Sequence, residues 1–218
     1  MKRIHKTIIP ALILSSSVMA QDLAPITLPP PDTSGGKPLM EAIKNRRSTR
    51  EFSPDSLPPA VLSDLLWAAG GINRPESGKR TAPSAMNWQE IDIYVALPDA
   101  AYRYEPKDHS LQPVLAGDIR AQTGMQPFVK DAAVNLVYVA NFTRMGDPPK
   151  DEGERLRREN MAYADAAFMC ENAYLYCASA GLAAVVRASI DSERLAKTLS
   201  LSADQRPLLA QTIGYPKE

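Results

Sequence analysis

Five consecutive residues form a dense set of anion-binding donors: Arg46, Arg47, Ser48, Thr49 and Arg50, followed by Glu51 and Phe52. A guanidinium is a planar fork that can bond two phosphate oxygens at once, so three of them beside two hydroxyls suit a phosphorylated ligand. Taken alone, the cluster reads equally as a solvated basic loop. A second stretch, Arg80-Thr81-Ala82-Pro83-Ser84-Ala85-Met86-Asn87-Trp88-Gln89, has no regular period and leads straight into an alternating apolar segment. Loops seated on a rigid strand often carry ligands. Asn87 and Gln89 can each donate and accept, as recognition of the amide edge of a flat heterocycle requires.

Other chemistries lack their residues. Beyond the N-terminal leader inferred below, His109 is the single histidine, and there is no Gly-x-Ser-x-Gly elbow to support Ser-His-acid hydrolysis. One His and two Cys are a poor zinc set. No phosphate loop of the Gly-x-x-x-x-Gly-Lys type and no Gly-x-Gly-x-x-Gly fingerprint is present, which weakens NTPase and dinucleotide-fold dehydrogenase readings. His109 lies in the polar turn Pro106–Ser110 and is expected at the surface.

The elements that must position the two loops can be placed coarsely. Pro38–Asn45 suits a short helix with proline in its first turn. Pro58-Pro59 starts a second helix that ends at Gly70-Gly71. Ile91, Ile93, Val95 and Leu97 alternate with their neighbours in strand period, Ala101–Tyr104 is placed beside them, and Val134–Ala140 has the continuous apolar run of a central strand. Glu154–Ala180 is a long helix, Leu182–Val186 a buried strand, Ser192–Leu199 a helix and Leu208–Ile213 a last strand. Helices and strands mix without a strict βα repeat, so the fold class is α+β rather than doubly wound. The second half of the long helix is apolar nearly all round, which demands burial on every side. It reads as the hub of a dimer or as the central helix of a monomer core. Cys170 and Cys177 are seven apart on it; ~1.5 Å of rise per residue separates their Cα atoms by ~10 Å, too far for a disulfide.

Charge and length place the chain in a compartment. Its 218 residues suit one domain, and 25 basic against 25 acidic residues leave no basic excess for nucleic acid. Lys2, Arg3 and Lys6 precede a short apolar run from Thr7 to Val18 that closes on Met19-Ala20. That pattern predicts a signal peptide over residues 1–20, cut after Ala20, and a mildly acidic periplasmic or secreted protein with no stable membrane anchor. Residues 21–37, rich in Pro and Gly, are expected to be an extended, exposed linker, with the ordered domain spanning 38–218.

Four segments together carry a resemblance. Arg46-Arg47-Ser48-Thr49-Arg50-Glu51-Phe52 is similar to the N-terminal FMN-binding signature of the nitroreductase family, and Pro83-Ser84-Ala85-Met86-Asn87-Trp88-Gln89 to its second flavin segment. Ala178-Ser179-Ala180-Gly181-Leu182 with Val185-Val186-Arg187-Ala188 resembles the helix-to-strand passage near the flavin N5, and Gln211–Pro216 the closing Val-Gly-Tyr-Pro segment. They occur in family order from about Pro38 onward. Arg80–Gln89 looks most like an exported subgroup related to dehydrogenases that oxidise azolines in peptides. The resemblance implies a central mixed or antiparallel sheet flanked by helices, an obligate homodimer and an FMN at each interface, with two-electron ping-pong hydride transfer through the flavin. It implies that Arg46 meets the FMN phosphate and that Arg47 and Ser48 meet phosphate or ribityl. Arg50 and Asn87 would take the pyrimidine edge, with Ser84, Ala85 and Gln89 as loop neighbours. Backbone amides at Arg187 and Ala188 would face N5, and Lys217 would add a late basic contact. No protein acid or base is required, in keeping with the missing histidines. Two departures stand out: Ala183 and Ala188 replace glycines usual in the family. They keep a second reading open, an exported flavin-binding or flavin-handling protein with little turnover. Export also makes a nicotinamide donor scarce, so the donor would be another reductant or the reaction an oxidation.

Overall fold

A computed structural model of the chain describes residues 23–217; the expected leader and its cleavage point lie outside the described residues. In chain order the elements are β1 (Ile26–Thr27), α1 (Leu39–Asn45), α2 (Pro59–Gly70), β2 (Ile72–Arg74), β3 (Lys79–Arg80), β4 (Ile91–Ala96), β5 (Ala100–Glu105), β6 (Ser110–Ala116), β7 (Val134–Asn141), α3 (Glu152–Ala180), β8 (Ala183–Arg187), α4 (Ser192–Thr198) and β9 (Gln205–Gly214). Seven strands form one antiparallel sheet in the order β1-β6-β5-β4-β7-β9-β8, and β2 pairs with β3 as a separate hairpin.

Both faces of this sheet are covered, and the sequence pattern follows from that. Ile91, Ile93 and Val95 of β4 pack with Leu136 and Tyr138 of β7 against Leu65 and Leu66 of α2 and Met169 and Ala173 of α3. The opposite side chains of the same strands, Tyr94, Val137 and Val139, pack against Leu195 and Leu199 at α4 and Ile119. A strand buried on both faces needs apolar residues at successive positions, which is why 134–140 reads as an unbroken run. Each fully buried leucine contributes roughly 1.5–3 kcal/mol of apolar transfer.

α3 crosses one face of the sheet. Asp151 caps it by accepting the Glu154 N–H at 2.7 Å, and Gly181 ends it with φ 73°, a left-handed turn that glycine adopts without steric cost. The helix is not buried on every side within the chain. Phe168 is 48% and Tyr163 43% exposed, and α1, packed beside it, shows Leu39, Met40 and Ile43 to solvent.

The Pro/Gly-rich segment is extended and mostly exposed, but it is a tethered strap rather than a free linker. Ile26 and Thr27 pair with Leu111 and Ser110 of β6, Leu28 is buried, and the Lys37 N–H donates to Ser179 Oγ. His109 is part of the tether and half-buried rather than a free surface residue. Ser63 Oγ donates to the Pro29 carbonyl at 2.6 Å, so the proton on its 2.6 Å contact with His109 belongs to Nε2. Nδ1 then accepts from the Tyr104 hydroxyl at 2.8 Å. Burial pushes the imidazole below its ordinary value. Cys170 and Cys177 are separate, buried thiols, and burial raises both well above the usual thiol range.

Candidate functional site

α1 stops at Asn45, and the basic cluster continues as an extended segment along the outer edge of β8. The Thr49 N–H donates to the Ala184 carbonyl at 2.9 Å. Further on, Phe52 bridges Pro216, the Ser53 N–H reaches the Tyr215 carbonyl at 2.9 Å, and the Lys217 N–H meets the Glu51 carbonyl. Three of the four segments singled out in the sequence are therefore joined: the arginine cluster, the α3–β8 passage and the C-terminal Tyr215–Lys217.

Tyr174 of α3 is the hub of this junction. Its hydroxyl accepts the Val186 N–H at 2.7 Å and lies 2.9 Å from Ser48 Oγ, while the Arg46 guanidinium sits 5.3 Å from its ring centroid. A cation over an aromatic face is held without losing its charge or its free N–H donors. The cavity beside it, about 430 Å³, is lined by Lys44, Arg46, Arg47, Thr49 and Ala183 among others. Gly181 and Pro216 separate it from a wider recess that holds Phe52, Arg120 and Lys217. Among the described residues, no carboxylate lies within ion-pair distance of Arg46, Arg47 or Arg50. Unpaired cations at a concave surface concentrate an anionic ligand. The described residues hold no cluster of side chains suited to a metal ion.

The Ser84–Gln89 turn lies elsewhere. Met86, Asn87 and Gln89 all take positive φ (52°, 57° and 50°), at roughly 1–2 kcal/mol each for a non-glycine residue. The Ala85 N–H donates to Asp165 Oδ2 at 2.7 Å, and the Gln89 N–H donates to Ser84 Oγ at 2.8 Å. Ser84 Oγ donates to Glu90 Oε2 at 3.1 Å, and Arg144 Nη1 donates to the Gln89 carbonyl at 2.9 Å. Met86 and Asn87 project into solvent. The Gln89 amide is committed within the chain, donating to the Gly78 carbonyl of the β2–β3 hairpin and to Asn87 Oδ1. Asp165 precedes Tyr174 by nine residues of α3, which is ~14 Å of rise and half a turn about the axis. One chain therefore does not bring this turn to the arginine cavity.

Arg187 and Ala188 divide. The Arg187 side chain turns into the core, donating to Thr212 Oγ1, the Thr123 carbonyl and Asn135 Oδ1, and burial lowers it to about 10. Its backbone lies in the β8–β9 pairing, opposite Ala210. Ala188 is exposed just past the end of β8. Sequence reading missed Tyr174, whose one polar atom is hidden in an apolar helix, and the buried carboxyls Glu90 and Asp165. Their partners are distant in the chain, so no local spacing marks them.

A protein of the nitroreductase type from Ralstonia eutropha JMP134, known from its crystal structure, is 49% identical with a TM-score of 0.83, over 89% of this chain and 90% of that one. A nitroreductase-type protein of Methanocaldococcus jannaschii is 27% identical over 81% of this chain and 90% of its own length. The same fold, at 21% identity and a TM-score of 0.60, occurs in a nitroreductase-type protein of Desulfovibrio desulfuricans crystallised with FMN, covering 84% and 89% of the two chains. The profile of the nitroreductase family matches residues 43–215, and this chain belongs to that family.

Proposed function

We propose that the chain is an exported FMN-dependent oxidoreductase that works as a homodimer, with each cofactor held between the two copies. The observation that carries this reading is the division of the binding groups: an unpaired arginine cavity on one side of the chain and an outward-facing, backbone-strained turn at Ser84–Gln89 on the other. Two copies can supply both halves to one ligand. The apolar side chains left bare on α1 and α3 supply the contact between them. FMN fits the cavity by the chemistry of its donors, since Arg46, Arg47 and Ser48 can take a phosphate monoester. Arg50 and the partner copy's turn would then hold the ring's polar edge. When bound, FMN supplies the two-electron hydride chemistry, and the protein's part is binding, orientation and exclusion of water. The motif order at Arg80–Gln89 supports a place beside the exported, azoline-dehydrogenase-like subgroup. The basic-apolar-small leader supports delivery to the periplasm or beyond.

The test is an absorbance spectrum of the purified mature protein after incubation with FMN and desalting. Retained flavin bands are expected, with bleaching on anaerobic addition of a competent donor. A colourless protein removes FMN from the reading. Ala183, buried and lining the cavity where relatives usually carry glycine, favours a second reading: flavin bound but hardly turned over. Retained bands that no donor bleaches would select it.

A further inference from the structure

Glu90 immediately precedes β4 and Asp165 lies in the middle of α3, and both are buried, at 0% and 3% exposure. Each grips the Ser84–Gln89 turn from behind: Glu90 Oε2 accepts the Ser84 hydroxyl and Asp165 Oδ2 accepts the Ala85 N–H. The two carboxyls therefore hold adjacent residues of one turn, and Asp165 disfavours a charge on Glu90. Ionised carboxylates are acceptors only, so two of them cannot satisfy one another. Accordingly, Glu90 Oε1 is buried with no donor among the described residues. A proton on Glu90, donated to Asp165, resolves both facts.

Among the described residues no cation answers the pair. Arg144, from the helical turn Phe142–Met145, is engaged with Asp92 of β4 at 2.9 Å and with the Gln89 carbonyl. Arg80 of β3 donates to the Ile91 carbonyl. The polar groups that the turn itself offers the pair are both neutral, the Ser84 hydroxyl on Glu90 and the Ala85 N–H on Asp165.

We propose that Glu90 and Asp165 share one proton and serve as the positioning pair of the Ser84–Gln89 turn, so that loss of the proton releases the turn from its binding shape. The part this turn plays in holding FMN rests on the function proposed above; the proton-sharing itself does not. Burial, with Asp165 adding to it, lifts the Glu90 carboxyl from 4.5 to about 7. The folded chain therefore keeps a proton that the unfolded chain gives up near 4.5. Stability falls as pH rises from there to about 7 and then levels off.

The experiment compares the full mature chain with its Glu90→Gln variant, whose amide can still donate to Asp165 and whose carbonyl can still accept from Ser84. Trp88 lies in the turn, so tryptophan emission and the melting temperature are followed from pH 5.5 to 8.5. An emission transition near pH 7 is expected in the parent and absent in Glu90→Gln. The variant should melt higher than the parent at pH 8 and no higher at pH 5.5. A parent without the transition, or both proteins showing the same one, overturns the proposal. If Glu90→Gln does not fold, Asp165→Asn decides: its amide donates to Glu90 and should move the transition well below pH 7, and an unmoved midpoint overturns the idea. FMN titration adds the functional arm. Affinity of the parent should be about tenfold weaker at pH 8 than at pH 6, beyond any change that Glu90→Gln shares. Equal pH dependence in the two proteins separates the pair from binding. No FMN binding at any pH defeats the flavin reading, while emission and melting still decide the shared proton.

Discussion

At the scale of single residues, the site rests on charges without partners and on one hydroxyl with two. Arg46→Ala removes charge-assisted hydrogen bonds worth ~1.5–3 kcal/mol each, so FMN affinity measured by fluorescence quenching should fall roughly tenfold or more. Unchanged binding removes Arg46 from the site. Tyr174→Phe should act differently, because its hydroxyl accepts the Val186 N–H and meets Ser48. An N–H left unpaired costs ~1–3 kcal/mol, which urea denaturation should detect alongside weaker FMN binding. The two residues also show what a sequence can display. Arg46, Arg47 and Arg50 are adjacent in the chain, so their chemistry is written locally. Ser48 and Tyr174 are separated by 126 positions, and only the fold brings them to 2.9 Å.

At the scale of elements, the strap formed by 23–37 is held by a hydrogen-bond chain from Tyr104 through His109 and Ser63 to Pro29. With Nδ1 accepting from Tyr104, the imidazole in that chain is neutral. Burial holds His109 below its ordinary 6.5 in the folded state, so the unfolded chain takes up a proton first as pH falls. The contribution of His109 to stability should therefore decline below about pH 6.5, against the gain from Glu90 over the same range. Thermal melts should show it as a difference in melting temperature, parent minus His109→Gln, that falls as pH drops through that range. Proline and glycine made the strap legible as extended; its docking depends on a buried Leu28 and a two-residue pairing, too short to read as a strand. β6 was missed because Pro113 interrupts its pattern; the proline is accommodated where the β5 register shifts between Ala101 and Tyr102. The alternation in β4 and the run in β7 were legible because every position carries the pattern.

At the scale of the whole molecule, the bare apolar side chains of α1 and α3 are where the proposed dimer would close. Leu39, Met40, Ile43, Tyr163 and Phe168 lie on packed neighbours, and a stable interface buries about 1,600 Å² in total. Phe168→Glu should place a charge in that contact. Sedimentation should then show a lighter species, with FMN retention lost in parallel. A dimer of unchanged weight would put the interface elsewhere. The helix was legible as apolar, but which side another copy covers is not a property of one sequence. The same scale gives the strap a further meaning. β1 occupies part of one margin of the sheet, at Ser110–Leu111 of β6, as the Thr49 segment lies along the other, at β8. Bare strand margins are templates for further strands. A protease cutting at the exposed Gly35-Gly36 would loosen the cover on β6. The freed amides and carbonyls would then invite a neighbouring molecule to add its own strand, turning a folded enzyme into the first rung of an aggregate.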